Sequence, residues 1–179
     1  TATGSQYNYY SNGHLLFSSG NETANEESVH FVMAQRPGPR DVLMISGSFS
    51  GTMAEVLKYR PDRVDCLEPD KALAGIGMQI QGAAQSPVVR MFHDDPTRFL
   101  QEPRGKYDVV MVGIPSPATL GLNRYFTDEF ISVIKQHIKP SGVIAYGLPS
   151  TGEYISAKAG ALQSTLYQTL AGHFSHILV

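Results

Sequence analysis

From Asp41 onward, apolar side chains come in short unbroken runs separated by stretches of helical spacing. Val42-Leu43-Met44-Ile45, Arg63-Val64-Asp65-Cys66-Leu67, Val88–Phe92, Tyr107–Val112 and Gly142–Tyr146 are the runs expected of strands buried on both faces. Between them, Met53–Lys58, Lys71–Gln81, Pro96–Leu100, 127–138 and 152–173 predict helices. The helix over 127–138 takes Thr127 as N-cap and sets Phe130, Ile131, Ile134 and Ile138 on one face. Gly75 and Gly77 weaken the helix over 71–81. Ile177-Leu178-Val179 reads as the start of a sixth strand. Strand alternating with helix predicts an α/β fold with a doubly wound parallel sheet of the Rossmann-like, class I methyltransferase type.

The first 40 residues read differently. Tyr7, Tyr9, Tyr10, Leu15, Leu16 and Phe17 flank Asn12-Gly13, a two-residue hairpin signal. The tyrosines read as hairpin packing. A second turn signal lies at Gly20-Asn21. Asn25-Glu26-Glu27 then leads into a short helix, Ser28–Met33, with an acidic first turn, which Arg36-Pro37-Gly38-Pro39-Arg40 ends. The expected organisation is a hairpin and short helix over 1–40, then a nucleoside-binding domain over 41–179. The chain opens on Thr1 and closes in what reads as mid-strand, as expected of a piece of something longer.

Composition narrows the function classes. Hydrophobic residues make up 42% and charged residues 17%, with a formal net charge of -2, so the basic face of a general nucleic-acid binder is not expected. The lone Cys66 excludes an internal disulfide and most zinc patterns; among apolar neighbours it reads as a core thiol, consistent with a reducing, cytoplasmic setting. No apolar run reaches the roughly 20 residues of a membrane span, and no signal-peptide pattern is present. His173 and His176 lack a completing ligand, so no metal is expected. His30 is expected to face the cleft or solvent.

In sheets of this kind, ligands sit beyond the carboxyl ends of the strands. Four segments fall there. Ser46-Gly47-Ser48-Phe49-Ser50-Gly51 is a small-residue turn that lets backbone approach a ligand ahead of a helix N-terminus; it is neither a Walker loop nor a hydrolase elbow. Glu68-Pro69-Asp70 follows the second strand, about 20 residues past the glycine turn, the spacing that suits a ribose diol; Asp70 reads better as a helix cap. His93-Asp94-Asp95-Pro96 offers a carboxylate to an exocyclic adenine amine, or a cap for the helix that Pro96 opens. Gly113-Ile114-Pro115-Ser116-Pro117 follows the fourth strand, where reaction chemistry is expected, yet it holds no acid and no base. Ser116 and Thr119 have no evident activating partner.

These segments resemble the spermidine synthase (polyamine aminopropyltransferase) family, in its divergent branch where the domain can be fused to membrane-spanning segments. The resemblance spans nearly the whole chain: Leu15–Phe17 through Glu27–His30, the strand and glycine loop with Glu55-Val56-Leu57-Lys58, Glu68, Asp95 ahead of Phe99-Leu100, Tyr107–Val110, and above all Leu122-Asn123-Arg124-Tyr125-Phe126-Thr127-Asp128-Glu129-Phe130. It implies S-adenosylmethionine or its decarboxylated form as donor, held by Gly47, Ser48, Gly51, Glu68 and Asp95. It also implies a small-molecule acceptor such as a polyamine, and a homodimer using the N-terminal region. The family's loop acid falls at Phe49, the acid that helps deprotonate the amine at Gly113, the second acid of that loop at Ser116, and a further Glu at Phe31. A polycation needs carboxylates and a base, so the resemblance carries the nucleoside half of the site and not the amine half. Three readings stay open: a spermidine synthase-like transferase lacking those acids, a methyltransferase on the same scaffold, and a non-catalytic domain of a larger, membrane-fused protein.

Overall fold

The computed structural model describes residues 2–3, 6–11, 14–18, 21–72, 74–75, 86–114, 117, 119–148 and 156–179. A small antiparallel sheet comes first: β1 (Ala2–Thr3), β2 (Gln6–Ser11) and β3 (His14–Ser18). Ser11 pairs with His14, either side of Asn12-Gly13, which lie outside the described residues. The expected hairpin is therefore present, and β1 adds a strand that no turn signal announced. Tyr10 is exposed rather than packed.

Helix α1 (Glu22–Ala34) starts a full turn and a half before the expected Ser28 and buries Val29, Val32 and Met33. The main sheet follows. Its strands are β4 (Asp41–Ile45), β5 (Arg63–Leu67), β6 (Val89–Phe92), β7 (Tyr107–Val112) and β8 (Ile138–Tyr146), all parallel and ordered β6-β5-β4-β7-β8. Between them lie a 3-10 turn (Ser48–Ser50), α2 (Thr52–Leu57), α3 (Pro96–Gln101), α4 (Leu120–Asn123), a second 3-10 turn (Arg124–Phe126), α5 (Asp128–Gln136) and α6 (Ala157–Ala171). The helix expected over 71–81 is helical at Lys71, Ala72, Ala74 and Gly75, and the rest lies outside the described residues, as does the expected start of the last helix at Gly152.

Strand alternation sorts the core into two layers. Val42, Met44, Val64, Cys66 and Val109 face α1 and α2, meeting Val29, Met33, Met53 and Val56. Leu43, Ile45, Leu67, Val110 and Val112 face the other way, onto Phe99, Phe130, Ile131, Ile134 and Leu166. Both faces are covered, which is why these strands read as continuous apolar runs. Burial pushes the Cys66 thiol up to about 12, so it is an inert core residue.

Two expectations are corrected. Thr127 caps α5 as expected, accepting from the Phe130 N–H, but the helix ends at Gln136 and Ile138 opens β8 opposite Tyr107. Periodicity placed Ile138 on a helix face because its apolar side chain fits either period. Ile177-Leu178-Val179 forms no ladder; an apolar triplet needs a neighbouring strand to become one, and none of the described residues supplies it. No helix among the described residues is long and apolar enough to cross a membrane.

The amino ends of the strands are tied by carboxylates. Asp108, nearly fully buried, accepts from Arg36 (Nη2, 3.0 Å), from the Arg40 and Asp41 N–H groups (3.0 Å each) and from Lys139 Nζ (2.9 Å). These donors outweigh its desolvation and hold its carboxyl far below the usual range. Midway along β5, Asp65, fully buried, accepts a fork from Arg90 (2.6 and 2.8 Å) and the Tyr107 hydroxyl (2.7 Å).

A carboxyl held below its unfolded value stabilises the fold above that value and loses the contribution as pH falls through the folded one. Wild-type stability should therefore decline from about pH 4 downward, and Asp108→Asn, which strands Arg36 and leaves Lys139 with Asp41 alone, should lose about 3 kcal/mol at neutral pH and show a flatter acid limb. Urea titrations of both proteins across that range measure it.

Candidate nucleoside site at the strand ends

The ladder continues one step past the strands. Ser46 N–H donates to Leu67 O (2.8 Å), Glu68 N–H to Phe92 O (2.9 Å), and Gly113 N–H to Ile45 O (2.9 Å). These bonds bring the loops after β4, β5 and β7 side by side. Two of the loops touch through backbone: a Cβ on Gly113 would lie 2.9 Å from the Ser46 carbonyl oxygen and 3.1 Å from Gly47 Cα, and a Cβ on Gly47 would lie 3.1 Å from Gly113 Cα. Gly47 also has φ +74°, a region that side chains avoid. Glycine is needed on both sides of the contact.

The β4 loop closes on itself. Ser50 and Thr52 hydroxyls both donate to Gly47 O (3.0 and 2.9 Å), Gly51 turns the chain at φ 111° into α2, and Asn25 of α1 donates to Ser50 O. Phe49 is buried, so its ring points into the protein. Ser48 is also buried, with its hydroxyl beside the Cys66 thiol rather than at the surface of the loop. The expected helix N-terminus is short, since α2 has six residues.

Glu68 is 2% exposed. Ser46 Oγ donates to its Oε2 (3.0 Å) and the Asp70 N–H to its Oε1 (3.3 Å). Burial is the largest influence and raises the carboxyl above its ordinary value. Bonds from the described residues occupy one acceptor site on each oxygen, of the roughly four that a carboxylate has. Asp70 does what its position suggested, accepting from the Ala72 N–H (2.9 Å) at a helix start.

Asp95 caps α3, with Oδ1 accepting from Thr97 N–H (2.9 Å) and Arg98 N–H (3.4 Å). Its Oδ2 accepts from the Tyr125 hydroxyl (3.0 Å) and from Arg124. Burial alone would raise this carboxyl; the Tyr125 bond, the two cap N–H groups and the Arg124 charge together hold it below its ordinary value. Asp94 pairs with Arg98.

A cleft of about 860 Å³ runs along the β8 edge of the sheet, between α1 and α6, and reaches this end at Ser46, Gly47 and Gly113. Of the five expected site residues, only Gly47 lines it, together with Ser46 and Gly113; its walls are largely apolar, from Phe31 and Val32 of α1 to Leu166 and Leu170 of α6. Ser46 links Glu68 to that wall. Asp95 lies further along, on α3. His30 is not part of the lining: its ring meets Tyr59 OH (2.7 Å) and Glu55 (3.4 Å), against α2. Thr119 caps α4, which accounts for its hydroxyl, and Ser116 lies outside the described residues. His173 pairs with Asp128 (2.7 Å). Sequence reasoning passed over Ser46, Arg124 and Tyr125. Ser46 carried no signal beyond its place at a strand end, whereas Arg124 and Tyr125 stood inside the most specific stretch of the resemblance.

Gly113→Ala should lower stability by about 1–3 kcal/mol, because backbone on both sides must give way. The same change should weaken any ligand that rests on the Gly47 loop. Thermal melts with and without ligand separate the two effects.

A family model described as the spermine/spermidine synthase domain matches residues 22–150. A polyamine aminopropyltransferase of Streptococcus uberis is 35% identical over 144 residues, covering 75% of this chain and 49% of the relative. One of Oceanobacillus iheyensis is 33% identical over 144 residues, covering 75% of this chain and 28% of the relative. The chain thus spans half or less of the length of these relatives. Among solved structures, a spermidine synthase in complex with the transition state analogue AdoDATO superposes with a TM-score of 0.73 at 19% identity, covering 87% of this chain and 53% of that one. Human methyltransferase-like protein 13 in complex with SAH gives 0.70 at 18%, covering 87% and 74%. At these identities the superpositions establish the shared fold.

Proposed function

The chain belongs to the spermine/spermidine synthase family, and on that premise we propose that it binds an adenosyl sulfonium donor, S-adenosylmethionine or its decarboxylated form, at the carboxyl ends of β4, β5 and β6. In the protein of which it is part, it would serve as a transferase to a small-molecule acceptor. The observation that supports this most is Glu68. A buried carboxyl with raised proton affinity, anchored by Ser46 beside a glycine loop, is a group that gains from hydroxyl donors, and a ribose diol supplies two. Gly47 and Gly51 allow backbone to approach the rest of the nucleoside, and Asp95 stands at the adenine side. Ser48 faces the core and is dropped from the set. The same proposal includes a homodimer in the cytoplasm, built on residues 1–40, whose hairpin precedes a helix, α1, that packs into the core of the main sheet.

A sulfonium donor suits a site without a strong base. The acceptor's lone pair forms the new bond to the carbon beside sulfur. The carbon–sulfur pair leaves onto sulfur as a neutral thioether, and the acceptor then loses its proton. The leaving group needs no protonation, so placement supplies much of the rate. The segment Gly113–Pro117 carries no acid or base, and the Gly47–Gly113 contact leaves no room for a side chain at Gly113. An acceptor that arrives neutral therefore fits this site better than a fully charged polyamine. The methyltransferase reading rests on the same scaffold and differs in which carbon is transferred.

Titration calorimetry with S-adenosylmethionine, its decarboxylated form and methylthioadenosine tests the proposal. Binding is expected for at least one, with Glu68→Ala weakening it by about tenfold or more. Preference for the decarboxylated donor supports aminopropyl transfer, and preference for S-adenosylmethionine supports methyl transfer. Absence of all binding by a folded sample overturns the nucleoside reading and leaves the non-catalytic one.

Diol donation favours the ionised form of Glu68. Affinity should therefore be constant at higher pH and fall as pH drops through the raised Glu68 value, because binding must then expel a proton. Glu68→Gln should flatten that profile.

A further inference from the structure

Asp95 is already served on every side. Its two oxygens accept from the Thr97 and Arg98 N–H groups, the Tyr125 hydroxyl and the Arg124 guanidinium, which fills the roughly four acceptor positions of a carboxylate. A further donor can reach it only by replacing one of these four. Three are fixed. The two N–H groups belong to the first turn of α3. Tyr125 is 4% exposed, its backbone carbonyl is held by Tyr146 OH (3.1 Å), and its ring packs edge-on against Phe130. Burial and the neighbouring Asp95 push its hydroxyl up to about 12, so it stays a neutral donor. Arg124 differs from the other three. Its side chain is about half exposed, it lies over the Tyr125 ring (4.6 Å), and a long stem lets its head move while the 3-10 turn beneath it stays in place.

We propose that Arg124 is the displaceable partner of Asp95: it occupies Oδ2 in the free protein and yields it to the exocyclic amine of the bound base. Arg124 is thereby a specificity-determining residue of the nucleoside site, and this inference rests on the reading above. Displacement costs the arginine its ion pair with Asp95 and its hydrogen bond to the Tyr125 hydroxyl. Only a base bearing a 6-amino donor returns a hydrogen bond to Oδ2; a 6-oxo base presents an acceptor there and would leave two oxygens facing each other. The exposed arginine recovers solvation when it swings out, so the exchange is affordable for the matching base.

The test compares methylthioadenosine with methylthioinosine, its 6-oxo analogue, by calorimetry on wild type, Arg124→Ala and Arg124→Gln, with Glu68→Ala beside them and circular dichroism on each. Removing the competitor should tighten methylthioadenosine by roughly three- to tenfold in both Arg124 variants and leave methylthioinosine unchanged. Unchanged or weaker methylthioadenosine binding in both variants, with wild-type binding intact and sensitive to Glu68→Ala, overturns the role of Arg124 and leaves the nucleoside reading standing. Equal tightening of both analogues also overturns it, since that is relief of bulk or charge with no exchange at the amine. If neither wild type nor the variants bind, both the reading and the inference fall. Binding that appears only in the Arg124 variants overturns the inference as well, because the wild-type arginine would then not yield Oδ2 to the base.

Discussion

Backbone meeting backbone at Gly47 and Gly113 is the constraint on which the rest of this site depends. The parallel ladder runs one residue past β4, β5 and β7, so the loops after these strands leave the sheet at one level. The two central loops then collide unless neither has a side chain at the contact. The floor of the site is consequently main chain. The two carboxylates stand to one side of that floor, Glu68 after β5 and Asp95 after β6. The chemistry available at the strand ends is set by this steric fact as much as by the choice of residues: an acid at position 113 would need the Ser46–Gly47 backbone to move.

The opposite end of the sheet is organised in the reverse way. There Asp108 gathers cations and N–H groups into a closed network, Lys139 further joins Asp41 to Asp108, and Asp65, midway along β5, holds Arg90 and the Tyr107 hydroxyl. A buried charge with all of its partners fixes geometry, while one missing partner would make it a liability. Concentrating the Asp108 network at the amino ends leaves the carboxyl ends free to hold groups whose hydrogen bonding is incomplete. The two apolar layers between them, α1 and α2 on one side and α3, α5 and α6 on the other, carry the rigidity from one end to the other.

Much of this was legible in the sequence. The runs at Val42–Ile45 and Tyr107–Val112 announce strands because both faces are buried, and strand order alone places Gly47, Gly51 and Glu68 beyond the carboxyl ends of the strands. Caps read well too: Asp70, Asp95 and Thr127 all accept from N–H groups of the helices they precede. What the sequence could not show were relations between distant residues. Ser48 looks like a loop hydroxyl, yet the turn buries it beside Cys66. Ile138 suits a helix face and a strand equally, and the partner that decides is Tyr107, 31 positions away. Arg124 reads as one residue of a motif until folding sets it against Asp95.

The two carboxylates of the candidate site are prepared in opposite senses. Glu68 is buried with few donors, so its ionised form is costly in the free protein and any ligand hydroxyl that reaches it is welcome. Asp95 is rich in donors, so its ionised form is already stabilised and a ligand amine gains there only the difference between itself and what it replaces. On the proposed reading, contact with Glu68 would supply affinity and contact with Asp95 discrimination. A nucleoside with the wrong base could still engage the ribose end; one with the right base is favoured by the exchange at the other. In the proposed arrangement the ribose-side acid would set how tightly a nucleoside is held, and the arginine-covered acid which nucleoside it is.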